Sequence, residues 1–213
     1  MSINRRLFLA TTGFLTASNI FSLWPAGANT LASASTLPEI AFGSKEAEVV
    51  VEEWYSLTCI HCAKFSSDTF PKVKSQLIDT GKIRYVFKEF PLDKVALTAS
   101  MVALSLPEKH YLPFISLLLS TQDKWVFKRD VNPEEELKRM AILAGMSGEE
   151  FDKTIHNTAL QEAILNEQNK AEKDYKIDST PSFRFFSTKT KKTSFTRGEL
   201  TYDEFLKQFK SVQ

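Results

Sequence analysis

Two cysteines, the only two in the chain, stand three residues apart as Cys59-Ile60-His61-Cys62. They follow the apolar run Val49-Val50-Val51-Glu52-Glu53-Trp54-Tyr55 and open a stretch with helical periodicity. A strand that runs through Cys-x-x-Cys into a helix is the redox corner of a βαβ unit. With no third cysteine, these sulfurs can bond each other, a metal, or a thiol on another molecule. The last option, disulfide exchange with a partner protein, is the favoured expectation.

A length of 213 residues with 43% hydrophobic and 12% aromatic residues provides a core for one domain, or one domain with a large insertion. The formal net charge of +1 has no clustered basic face behind it, so nucleic acid is not an expected partner. Residues 1–34 differ from the rest. They hold Arg5 and Arg6, no acidic residue, a moderately apolar stretch from Leu7 to Trp24, and two Ala-x-Ala sites, Ala26-Gly27-Ala28 and Ala32-Ser33-Ala34. This reads as an export signal, either twin-arginine-like through Asn4-Arg5-Arg6-Leu7-Phe8-Leu9 or of the ordinary secretory kind. An N-terminal membrane anchor is disfavoured, because its longest unbroken apolar run is far too short to span a bilayer. An exported, periplasmic location suits the motif, since an oxidising compartment permits a stable disulfide.

The pattern along the chain divides it into a first part of a redox fold (35–92), a helical segment (93–176) and a second part (177–213). Leu37–Phe42 reads as an edge strand and Glu48–Tyr55 as a buried strand. Ile60 to about Thr80 reads as a helix that Pro71 should kink. Lys82–Phe90 alternates as a strand stopped by Pro91. From Asp93 to Lys176 the pattern is helical throughout, too long for a simple crossover. Strands return at Ser182–Phe186 and Thr193–Arg197, before a terminal helix at Tyr202–Phe209. The fold class is therefore α/β, with an all-helical insertion.

A helix start carries free N–H groups and partial positive charge, which favour a thiolate. Cys59 is expected there, exposed, as nucleophile and leaving group. Cys62, one turn in, is the resolving thiol. Ile60 and His61 tune the pair, with the imidazole donating toward the Cys59 sulfur. A Cys59 pKa lowered from about 8.5 to about 4.5 would favour the reduced form by roughly 3.4 kcal/mol at pH 7. The disulfide would then be more oxidising by roughly 70 mV. Glu53 is either an inward carboxyl beneath the site, able to exchange a proton with Cys62, or a solvated strand charge. Pro181 after Thr180 is either a plain strand-start proline or a cis-proline presenting the Thr180 backbone to an extended substrate. Zinc is disfavoured for want of a second ligand pair. A structural disulfide is disfavoured because its loop is too small to constrain the unfolded chain. No cofactor is expected.

Three segments together resemble the DsbA family of exported thiol:disulfide oxidoreductases. They are Glu53-Trp54-Tyr55-Ser56-Leu57-Thr58-Cys59-Ile60-His61-Cys62, Arg84-Tyr85-Val86-Phe87-Lys88-Glu89-Phe90-Pro91-Leu92-Asp93, and Ser179-Thr180-Pro181-Ser182-Phe183. The resemblance implies a thioredoxin-like fold with a helical insertion, over most of residues 37–210. It implies Cys59 and Cys62 as the catalytic pair, His61 as the thiolate-stabilising histidine, Glu53 as the buried acid and Pro181 as the cis-proline. It also implies reduced substrate proteins as partners and a quinone-linked membrane protein as reoxidant. Ile60 departs from a frequent proline and Ser179 from a frequent glycine. Two alternatives stay open. One is a disulfide isomerase or reductase, disfavoured because only Ser35–Lys45 precedes the first redox-fold strand, too little for a dimerisation module; a monomer is expected. The other is a Cu(I)-handling thiol module, disfavoured because no methionine flanks the motif.

Overall fold

The computed structural model describes residues 37–213; the export-signal reading of residues 1–34 lies outside them. Five strands, β1 (Ile40–Gly43), β2 (Val49–Tyr55), β3 (Ile83–Glu89), β4 (Ser182–Ser187) and β5 (Thr193–Arg197), form one sheet in the order β1-β3-β2-β4-β5. The centre is parallel, with Val51 opposite Tyr85 and Tyr55 opposite Glu89. The flanking pairs β1·β3, β2·β4 and β4·β5 are antiparallel. A parallel pair needs a crossover. Here helix α1 (Ile60–Asp68) and the short α2 (Phe70–Val73) make it, so Cys59 and Cys62 sit where β2 feeds the crossover.

The expected single helix over Ile60–Thr80 is not continuous. It breaks at Thr69, the C-cap of α1 and N-cap of α2, whose hydroxyl donates to the Leu200 carbonyl at 2.7 Å. Pro71 lands in the first turn of α2, where its missing N–H leaves no ladder bond unmade. A π-helical turn, Lys74–Ile78, follows and closes with Asp79 N–H on the Lys74 carbonyl at 2.8 Å.

The insertion comprises α3 (Lys94–Ser105), α4 (Glu108–Ser120), α5 (Gln122–Trp125), α6 (Pro133–Leu143), α7 (Gly148–Ile155) and α8 (Thr158–Tyr175). Helix α9 (Tyr202–Val212) returns to the sheet and extends to Val212, past the expected end. Side chains of a strand alternate between faces. Val51, Tyr85, Phe87, Phe183 and Phe185 therefore share one face, where Phe65, Phe70, Phe205 and Tyr111 meet them ring to ring. The opposite face carries Trp54, which packs on Tyr175 and Ala171 of α8. There Glu52 pairs with Arg184 at 2.5 Å, and the Arg184 guanidinium lies over Tyr175 and Phe186.

Candidate active site

The loop Ser56-Leu57-Thr58 turns from β2 to α1 and is pinned on two sides. Thr58 Oγ1 donates to Asp93 Oδ2 at 2.6 Å, while Asp93 Oδ1 caps α3 through the Ala96 N–H at 2.8 Å. From α5, the buried Gln122 carboxamide donates to the carbonyls of Leu57, at 2.8 Å, and Cys59, at 3.1 Å. The sequence reading had no role for Gln122, because its helix is one turn long and shows no periodicity. The signal is tertiary: the Leu57 carbonyl needs a donor that no strand supplies, whereas the Cys59 carbonyl also accepts the Ala63 N–H at 3.1 Å.

Cys59 is itself the N-cap of α1. Its Sγ accepts the Cys62 backbone N–H at 3.4 Å and donates to the Thr180 carbonyl at 3.3 Å as a thiol. Both cysteines are free thiols. The Cys59 pKa falls from its ordinary value near 9 to about 5. The Cys62 thiol, hydrogen-bonding to the Cys59 sulfur, is the largest cause; the N–H groups of Cys62 and His61 add to it, against the opposing effect of burial. The Thr180 hydroxyl is buried and has no partner at hydrogen-bond distance among the described residues. Burial pushes Cys62 well above the ordinary thiol range. One sulfur is thus readied to ionise and the other to stay protonated.

Two expectations are corrected. Cys59 is not exposed: it retains 7% of its accessible surface, against 1% for Cys62, and its sulfur lies 3.3 Å from the Thr180 carbonyl. The exposed member of the motif is Ile60, at 62%. Nor does the His61 imidazole point its hydrogen bond at Cys59. Its Nδ1 lies 3.1 Å from Glu199 Oε2, with the side chain 61% exposed, and it is the His61 backbone N–H that favours the thiolate. The imidazole projects outward from the first turn of α1, where Glu199 meets it from the β5–α9 loop.

Glu53 points to the core side of β2 and is buried; Glu52 points the other way. Tyr85 Oη donates to Glu53 Oε2 at 2.7 Å. Burial raises the Glu53 pKa to about 8, against the lowering effect of that hydrogen bond. Glu53 acts electrostatically on both sulfurs, raising Cys62 and being raised by Cys59. The Thr180–Pro181 peptide bond is cis. Among the described residues no group of three or more His, Cys, Asp or Glu side chains could hold a metal ion.

Sheet order, crossover, insertion and a capping Cys-x-x-Cys beside a cis X-Pro bond define a DsbA-like thioredoxin-fold protein. A family model described as "Thioredoxin" matches residues 35–208, and the chain belongs to that family. A relative from Rickettsia bellii, provisionally named a protein-disulfide oxidoreductase, is 31% identical over 81% of this chain. One from Rickettsia typhi is 33% identical over 68%. The chain spans 66% and 53% of the lengths of these relatives. The crystal structure of Wolbachia pipientis alpha-DsbA1 superposes with a TM-score of 0.75 at 27% identity, covering 83% of this chain and 92% of that one. Oxidised BdbD from Bacillus subtilis shares the fold with a TM-score of 0.68 at 18% identity, covering 81% and 91%.

Proposed function

We propose that the chain is an exported protein-disulfide oxidoreductase that donates its Cys59–Cys62 disulfide to reduced proteins. The observation that carries this reading is the asymmetry of the two sulfurs. Cys59 caps a helix, receives hydrogen bonds from its surroundings and is acidic, while Cys62 is buried and weakly acidic.

In the oxidised protein a substrate thiolate attacks Cys59 Sγ. The Cys59–Cys62 bond breaks, and Cys62 leaves with the electron pair. Glu53, carrying a proton at neutral pH, protonates it. A second substrate thiolate then attacks the substrate sulfur of the mixed disulfide and expels Cys59 as a stabilised thiolate. The substrate is oxidised to a disulfide and the protein reduced to the dithiol form. Cys59 is the better leaving group at that step because its thiolate is the more stable. The Thr180 carbonyl, beside Cys59 Sγ, is the pairing edge for an extended substrate segment. Ile60 offers an exposed apolar contact next to it.

The same asymmetry supports oxidase rather than isomerase action in this reading, because a stabilised thiolate makes the disulfide the reactive form. Reoxidation by a membrane partner, a periplasmic location reached through residues 1–34, and a monomeric state complete the proposal. The test is equilibration with glutathione together with oxidation of a reduced unfolded protein. A potential as low as that of thioredoxin, or a Cys59→Ser variant that still oxidises the substrate, would overturn it.

A further inference from the structure

Glu89 is a second buried acid, unused by the exchange chemistry above. It ends β3 in register with Tyr55, the last residue of β2. Four short oxygen–oxygen contacts meet there. Tyr55 Oη and Tyr111 Oη lie 2.8 and 2.6 Å from Glu89 Oε1. Ser100 Oγ lies 2.5 Å from Glu89 Oε2. The two phenol oxygens are 2.8 Å apart. All four residues are buried.

Each contact needs a hydrogen between its oxygens; otherwise lone pairs face each other at close range in a low-dielectric interior. The three hydroxyls supply three hydrogens. The fourth has one remaining source, the carboxyl group. A consistent arrangement runs from Glu89 Oε1–H to Tyr55, from Tyr55 to Tyr111 and from Tyr111 back to Oε1, with Ser100 donating to Oε2. We propose that Glu89 is held as the neutral acid at neutral pH and acts as a positioning residue for the redox loop, its closed network fastening Tyr55 to the helical insertion.

The connectivity gives this role its reach. Ser100 belongs to α3 and Tyr111 to α4, whereas Tyr55 leads directly into Ser56-Leu57-Thr58-Cys59. The Tyr55 carbonyl also accepts the Phe90 N–H at 2.9 Å, so both ends of the residue are held. A neutral hub fits its surroundings. No cation pairs with Glu89 among the described residues, and an ionised carboxylate would add negative charge near Glu53. Burial also raises the Glu89 pKa.

Two measurements on the full reduced protein test this. The infrared difference between wild type and Glu89→Gln at pH 7 should show loss of a carboxylic-acid C=O band. Loss of carboxylate bands instead would overturn the neutral assignment. In the second, Cys59 alkylation is followed against pH. Glu89→Leu should weaken the Cys59 acid dissociation constant about tenfold, one pKa unit. Glu89→Gln, which keeps a donor and an acceptor, should restore it. An unchanged constant in Glu89→Leu, or a Gln variant as impaired as the Leu one, would overturn the positioning role. If Glu89→Leu does not fold, Tyr111→Phe takes its place: a shift in the same direction supports the role, and no shift overturns it. The second arm rests on Cys59 being the activated thiol. An ordinary titration in wild type would sink that reading, while the infrared arm would still decide the state of Glu89.

Discussion

The acidity of Cys59 dictates how the reduction potential must vary with pH. With a pKa lowered from near 9 to about 5, the reduced protein at pH 7 gains about two pKa units of thiolate stabilisation, roughly 2.7 kcal/mol. For a two-electron couple this makes the disulfide more oxidising by about 60 mV. The slope is the more discriminating quantity. Between about pH 5.5 and 7, below the Glu53 titration near 8, Cys59 is a thiolate and Cys62 a thiol. Reduction then takes up one proton per two electrons, and the potential should fall by about 30 mV per pH unit. Below pH 5 both sulfurs bind protons, and the slope should double to about 59 mV. Stability follows the same linkage. A depressed folded pKa stabilises the reduced protein fully above the unfolded pKa, and that gain is lost as pH falls through about 5. The reduced form should therefore lose about 2.7 kcal/mol from this source between pH 7 and pH 4. Glutathione equilibria at stepped pH, with denaturant melts of the reduced form, measure both. A slope of about 59 mV maintained up to pH 7 would refute the reasoning, because Cys59 would then be an ordinary thiol.

Three further outcomes are expected. Glu53→Gln should slow protonation of the leaving Cys62 by about tenfold or more in stopped-flow exchange and abolish any rate inflection near pH 8. It should also raise stability at pH 7 by up to about 3 kcal/mol, since a raised folded pKa costs stability as pH climbs from the unfolded value through about 8; an unaltered melt would count against burial of the acid. Gln122→Leu should leave the Leu57 carbonyl without its donor and remove one of the two donors to the Cys59 carbonyl, costing about 1–3 kcal/mol in chemical denaturation, with faster amide exchange over residues 57–62. Gly43→Ala should destabilise by at least about 1 kcal/mol without moving the Cys59 titration. Gly43 has φ +92°, and a Cβ there would overlap the Ile83 carbonyl oxygen.

Patterns carried on neighbouring residues were legible without the fold. The strand periods, the helical run over 93–176 and the motif itself need only alternation, apolar spacing and punctuation by glycine and proline, all of which act locally. The break at Thr69 was harder to place. Pro71 announces a disturbance, but its position depends on the Leu200 carbonyl drawing the Thr69 hydroxyl from 131 residues away. The environment of the sulfurs was less legible still. Position 59 as a helix cap follows from local sequence, yet its contact with the Thr180 carbonyl comes from 121 residues away, and the orientation of His61 from Glu199. Alternation offered an inward Glu53 as one option. Only burial beneath the aromatic core makes that carboxyl weakly acidic, against the Tyr85 hydrogen bond that lowers its pKa.

By itself the sequence determined the strands and their order, the helical character of the insertion and the dithiol that joins β2 to α1, because these depend on backbone propensity and side-chain period over a few turns. The tertiary structure alone decided which groups surround each sulfur and each carboxyl. Acidity is set by desolvation and by donors within hydrogen-bond reach, and here the Tyr85 hydroxyl that donates to Glu53, and the groups that bury both sulfurs, reach the site only when the sheet closes and the helices pack upon it.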